Sequence, residues 1–250
     1  MISVVQLGTV TYQQGLDLQR MLVEQRKQGA LSDVLLLLEH SPVITLGRNA
    51  DRANVIASDE LLARRGVELF ECDRGGDVTF HGPGQLVGYP IFDLRGFTPH
   101  VGAVEFVRRL EEALIRTCAD FGIAATRVPG CTGVWTVETN AKIAAIGVHI
   151  SRGVTSHGFA LNVNTDMSYF DLIVPCGIAN KPVTSMEREL KAIPAWDDVA
   201  QSIARNFGRV FGSEVLWVDT IDALLGRKVG IPTRPPAELR ELHGDENHWV

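Results

Sequence analysis

The two groups in this 250-residue chain best suited to covalent chemistry are a thiol and an amine. Cys176 stands between Pro175 and Gly177, and Lys142 enters the apolar run 143–148. A cysteine between proline and glycine sits on bent, open backbone, and its thiolate is a nucleophile toward acyl groups. At an ordinary thiol pKa of about 8.5, only about 3% is ionised at neutral pH. An ammonium about 4 Å away favours the thiolate by about 4 kcal/mol at an effective dielectric near 20, before the opposing cost of desolvation. Half of that raises the thiolate fraction more than tenfold. No carboxylate–histidine pair stands at an obvious spacing beside Cys176, which makes Lys142 the candidate proton-handling partner. Taken singly, each has an ordinary reading: a buried structural thiol, and a lysine whose head reaches solvent. Sequence spacing does not bring the two together, so their contact is an expectation.

A second unusual stretch, RGGDVTFHGPGQLVGYP (74–90), places five glycines and two prolines around His81, with Arg74 at its start. Glycines of this density mark turns or backbone that something approaches closely. The stretch reads as a backbone-built cradle, with simple turns between strands 78–80 and 86–92 as the plainer alternative.

These residues need a scaffold, and the hydrophobic pattern supplies one. Alternating or continuous apolar runs predict strands at 2–7, 34–39, 43–47, 67–72, 125–128, 133–137, 141–150, 154–163 and 214–218. Ser41-Pro42 reads as a tight turn and 138–140 as a hairpin turn. Helical spacing predicts helices at 12–28, at a short segment capped by Ser58, at 101–121 and at 197–211, with a further capping box at Thr184 and Glu187. In the helix 101–121 the stripe is Val104, Val107, Leu110, Leu114, Cys118 and Phe121, with Glu105–Arg109 and Glu112–Arg116 pairs outside. The length and 45% apolar content suit one α/β or α+β domain over 1–226, followed by a Pro-rich, charged tail at 227–250.

A net charge of −6 without like-charge runs points away from nucleic acid and anionic membranes. The longest apolar run, 34–38, is far below a membrane span, and the first residues lack a signal pattern, so a cytoplasmic location is expected. Cys72, Cys118, Cys131 and Cys176 form no ligand spacing, so neither a metal nor a disulfide framework is expected.

Five separated motifs jointly resemble the lipoyl(octanoyl)transferase family: RGGDVTFHGPGQLVGYP, GVW (133–135), KIAAIGV (142–148), SHGFALNV (156–163) and VPCGI (174–178). With VTS (183–185) they span about 37–190 in the family's order. The resemblance implies a mixed, largely antiparallel α/β (α+β) fold like the catalytic domain of biotin and lipoate protein ligases. It implies transfer of octanoyl from acyl carrier protein, through a Cys176 thioester with Lys142 as its dyad partner, to a lysine of lipoyl domains. The acceptors implied are the lipoyl domains of 2-oxoacid dehydrogenase complexes and the glycine cleavage H protein. The acyl site it implies comprises Arg74, Gly75, Gly76, Asp77, Val78, Thr79, Phe80, His81, Ala145, Ile146, Gly147, Gly158, Phe159 and Ala160. No cofactor and a monomer are expected. The small residues Ala145, Gly147, Gly158 and Ala160 suit a slot for a straight alkyl chain, His81 and the loop amides suit a thioester oxyanion, and Arg74 suits a loop brace or a donor phosphate. Arg48, Arg52, Arg64, Arg65 and Lys181 are candidates for docking acidic partners. The alternative reading is an ATP-dependent ligase, in which Lys142 would grip an adenylate phosphate.

Overall fold

The structure, a computed structural model, describes residues 1–174 and 182–226. Strand β1 (Ile2–Val10) leads into helix α1 (Tyr12–Lys27). A reciprocal capping box starts the helix: the Gln14 amide donates to the Thr11 hydroxyl, and the Thr11 amide donates to the Gln14 side chain. β2 (Asp33–His40) then returns parallel to β1. On the far side of β1, β11 (Val215–Trp217) adds a parallel edge.

From β2 the large sheet continues antiparallel through β6 (Gln85–Ile91), β10 (Val154–Asn162), β9 (Lys142–Ser151), β8 (Cys131–Thr136) and β7 (Ala125–Val128). A second, three-stranded sheet is formed by β4 (Glu68–Glu71), β3 (Val43–Leu46) and β5 (Val78–His81), in that order. The expected strands on either side of Ser41-Pro42 therefore do not pair with one another. That turn carries the chain from one sheet to the other.

Both faces of the large sheet are covered, which explains why 34–38 is apolar without alternation. On one face lie α3 (Ala103–Asp120) and α5 (Trp196–Phe211), whose Phe106, Leu110, Leu114, Ile203 and Phe207 pack over Leu35, Leu37 and Leu86. On the other, Leu22 and Val23 of α1 pack against Leu36, Leu38, Val87 and Tyr89. The small sheet has its own core, closed by α2 (Asp59–Arg64) and the turn Met167–Leu172. Tyr12 and Leu16 at the start of α1 pack on Val43 and Phe70, tying that helix to the small sheet.

Two sequence expectations shift. Val104 is 75% exposed, so the buried stripe of α3 runs through Phe106, Leu110, Leu114 and Cys118. The short helix α4 (Met186–Leu190) is capped by Ser185, which accepts from the Arg188 amide, while the Thr184 hydroxyl donates to Glu189. Cys118 is core filling, its thiol pushed up to about 12 by burial. The tail expected at 227–250 lies outside the described residues.

Candidate active site

Between the two sheets lies a cavity of about 290 Å³. One wall is the segment 74–79 with His81, from the small sheet and the loop before it. The facing wall is Ala145, Ile146 and Gly147 of β9 with Gly158, Phe159 and Ala160 of β10. Lys142, the first residue of β9, also lines it, and Gly130, Cys131 and Thr132 form part of its rim. Of the expected site residues that are described, Phe80 does not line the cavity, and Val78, Ile146 and Phe159 border it while their side chains pack into the neighbouring cores. Phe80 stacks on Tyr169 at 4.6 Å in the small-sheet core, because alternate residues of β5 face opposite ways and Thr79 and His81 take the cavity side. Cys176 lies outside the described residues.

The loop wall is held by one side chain. Arg74, 7% exposed, donates from Nε to Thr45 Oγ1 at 3.1 Å and from Nη1 to Gly75 O at 3.1 Å. Its Nη2 reaches Thr45 O at 2.6 Å and Asp77 O at 2.7 Å. Asp77 in turn accepts from Asn54 Nδ2 at 2.7 Å and from the Asp51 amide. With Nε and Nη2 committed, Arg74 braces the loop, and the donor-phosphate alternative for it loses its support.

The strand wall is built from small residues in register. Ala160 pairs with Ala145, and Gly158 with Gly147. The expectation that all four widen an alkyl slot needs refinement. A Cβ on Gly147 would stand 2.6 Å from Gly75 O, and one on Gly158 would run into Gly88 O. Gly147 is bare so that the 74–77 loop can lie against β9, where the Gly75 amide donates to Val148 O at 3.0 Å. Gly158 is bare so that β10 can pack against β6.

Lys142 is 9% exposed, with its Nζ 4.9 Å from the centre of the Trp135 ring. Its amide donates to Pro182 O at 2.8 Å and its carbonyl accepts from the Thr184 amide at 3.0 Å. Its strand is thus stitched to the residues that follow 175–181, while Val174, just before that segment, donates to Asn54 O at 2.7 Å.

His81 was expected from sequence, whereas the polar side chains around it, Gln85, His40, Tyr12 and Tyr89, were not singled out. His81 Nδ1 lies 2.7 Å from Gln85 Oε1, and burial pushes the His81 pKa down to about 3. His40 Nδ1 donates to Val10 O, leaving its Nε2 to accept from the Tyr89 hydroxyl at 2.6 Å. Tyr12 stacks parallel to His81 at 6.2 Å, and its buried hydroxyl has no hydrogen-bond partner among the described residues. His157, with φ of 55°, bonds Asp73 at 2.7 Å and pins the residue before Arg74 to the strand wall. The rim loop is anchored by Glu111, a fully buried carboxylate of α3 that accepts from Arg108, Arg127 and the Gly133 amide. Its signal was present in the sequence: position 111 falls on the apolar stripe of α3, where a carboxylate must have partners.

Of the cations considered for docking, Arg52 is paired with Asp59, and Arg65 lies 4.5 Å over the Tyr169 ring and donates to Ser168. Lys181 is outside the described residues, whereas Arg48 and Arg64 are exposed.

A family model, the lipoyl protein ligase A/B catalytic domain, matches residues 11–208. The chain is 62% identical over 249 residues to an octanoyltransferase of Koribacter versatilis, covering 99% of each chain. It is 60% identical over 235 residues to an octanoyltransferase of Acidobacterium capsulatum, covering 90% of this chain and 96% of the relative. Among solved structures it is similar in fold to a bipartite lipoate protein ligase from Thermoplasma acidophilum, with TM-score 0.69, 15% identity, and coverage of 90% and 91% of the two chains. A lipoate-protein ligase A bound with ATP gives TM-score 0.68 at 15% identity, covering 90% of this chain and 93% of its own.

Proposed function

The chain belongs to the lipoyl protein ligase A/B catalytic domain family, and on that premise we propose that its reaction runs through a thioester on Cys176, with Lys142 as the proton-handling partner. It is an acyltransferase that moves octanoyl groups in protein lipoylation, from an acyl carrier protein donor to lipoyl domain acceptors. In the first step the Cys176 sulfur attacks the carrier's thioester, the carrier's thiolate leaves, and Lys142 supplies its proton. In the second, the acceptor lysine attacks the enzyme thioester and the sulfur is released. Neither step requires ATP or a metal, because a thioester is already activated toward an amine.

The observation that carries this reading is the place of Lys142. It is buried, on the wall of the cavity, and joined through Pro182 and Thr184 to the chain that follows Cys176. The cavity wall of the paired Ala145 and Ala160 suits an alkyl chain. Burying seven alkyl carbons at about 0.8 kcal/mol each contributes about 5 to 6 kcal/mol, enough to orient a weakly held acyl group.

The single catalytic domain spans 1–226 in this reading, and the enzyme acts as a monomer in the cytoplasm. Its acceptors are the lipoyl domains of 2-oxoacid dehydrogenase complexes and the glycine cleavage H protein. The test is octanoyl transfer from octanoyl-carrier protein to a lipoyl domain with ATP omitted and adenylates removed. Transfer at an undiminished rate is expected. A strict dependence on ATP with free octanoate as donor would overturn the proposal in favour of ligation.

A further inference from the structure

The thioester pathway leaves one proton without a destination. At neutral pH the acceptor lysine arrives as an ammonium with three protons and ends as an amide with one. In the first step Lys142 gave its proton to the departing thiolate, so it can take back one of the two. The sulfur returns as thiolate beside the recharged Lys142. The balance is then: ammonium, thioester, neutral Lys142 and an acceptor give amide, thiolate, charged Lys142 and a protonated acceptor. That acceptor is either solvent, before the amine enters, or a group on the cavity wall.

The hydrogen-bond directions around His81 identify such a group. Gln85 Nε2 donates to Phe80 O at 3.1 Å and to Asn162 Oδ1 at 2.9 Å. A carbonyl only accepts, so the Gln85 amide nitrogen must face Phe80 O, and its oxygen must face His81. Asn162 is oriented independently, because its Nδ2 donates to Thr184 O at 2.9 Å. The Gln85 oxygen therefore receives a proton from His81 Nδ1 at 2.7 Å. A neutral imidazole carries one N–H, so Nε2 bears a lone pair, and it has no partner among the described residues. In this tautomer an oxyanion would be served by the loop amides: it needs a donor, and neutral His81 offers the cavity an acceptor.

We propose that His81 is the second proton acceptor of the transfer step, with Gln85 as the positioning residue that fixes its tautomer; the proposal rests on the thioester reading above. The chain of dipoles runs from the Lys142 carbonyl through the Thr184 amide and carbonyl, Asn162 and Gln85 to His81, so the lysine strand and the imidazole are oriented by one network. The titratable and charged groups around His81 are Tyr12 of α1, His40 of β2, Arg74 of the loop and His157 of β10. Burial, with His40 and the positive charge of Arg74 nearby, keeps the imidazole neutral at working pH, so Nε2 presents its lone pair to the N–H of the attacking amine.

Two measurements test this. In the unmodified enzyme, ¹⁵N NMR of labelled histidines, with His81 assigned by its disappearance in His81→Gln, is expected to show a pyrrole-type Nδ1 and a pyridine-type Nε2. A proton on Nε2 instead would overturn the proposal. In single-turnover kinetics read by intact mass, His81→Ala is expected to slow transfer to the lipoyl-domain lysine about 10²-fold more than it slows enzyme acylation. That excess should shrink about tenfold per pH unit as the acceptor amine is deprotonated in solution, and it should vanish when hydroxylamine, neutral at pH 7, replaces the lysine. Equal losses in both steps, or an excess indifferent to pH and to the nucleophile, would overturn the His81 role. An absence of any acyl-enzyme in the unmodified protein would instead overturn the thioester reading beneath it.

Discussion

The two walls of the cavity are made in opposite ways. The β9–β10 wall is shaped by what is missing: Ala145 opposite Ala160 and Gly147 opposite Gly158 leave the cavity side of that stretch almost without side chains. The 74–81 wall is shaped by one large side chain, Arg74, whose guanidinium holds the carbonyls of Thr45, Gly75 and Asp77. A strand pair needs no brace because its ladder already fixes the backbone, whereas the 74–77 loop has only isolated backbone hydrogen bonds, from Gly47, Arg48 and Asn49 and to Val148, and leans on the Arg74 side chain as well. The loop wall is therefore the more fragile, and the walls meet where Gly75 crosses Gly147.

Arg74→Ala should show this most strongly. It removes the guanidinium's hydrogen bonds to Thr45, Gly75 and Asp77, and we expect a loss of about 3 kcal/mol in denaturant unfolding with transfer activity down more than about 10²-fold. If activity held while stability fell, the brace would not be setting the site's geometry.

Acid should act next, through the buried histidines behind the loop wall. His40 and His81 have pKa values lowered by burial to about 4 and about 3, and that of His157 is lowered as well. The unfolded chain takes up these protons first, near pH 6.5, so the stability they protect is complete above that pH and lost as pH falls toward the folded values. For His40 and His81 together the slope is about 2.7 kcal/mol per pH unit between about pH 6 and 4. Urea midpoints measured across that range check this, and a flat profile contradicts it.

Gly147→Ala sharpens the comparison where the walls touch. Its Cβ would stand 2.6 Å from Gly75 O, so the loop must move, at a cost of about 1 to 3 kcal/mol. We expect KM for the octanoyl donor to rise several-fold at a temperature where the variant is still fully folded. Asp73→Ala should be mildest: Asp73 is largely exposed, and losing its bond to His157 should cost under about 1 kcal/mol by thermal unfolding.

Much of this was legible in the chain. The apolar stripes of α1 and α5, the run at 34–38 and the turn residues located the main elements, and the glycine density of 74–90 marked a segment with unusual backbone demands. What escaped depends on long-range partners. Nothing local says that β3 leaves β2 for another sheet, that Phe80 turns away while His81 turns in, or that Gly147 is bare for the sake of Gly75. Thr184 looked like the helix cap because its spacing to Glu187 fits. The structure gives that place to Ser185 and leaves the Thr184 backbone to tie Lys142 and Asn162 together.

The central claim is that the octanoyl group rests on one sulfur between its two protein carriers. Its most direct test is the intact mass of the enzyme after brief exposure to octanoyl-carrier protein with no acceptor present. One octanoyl increment is expected, removed by hydroxylamine, absent from Cys176→Ala and formed far more slowly in Lys142→Ala. An enzyme that transfers octanoyl to lipoyl domains at full rate while never acquiring that mass, or that acquires it equally in Cys176→Ala, would contradict it.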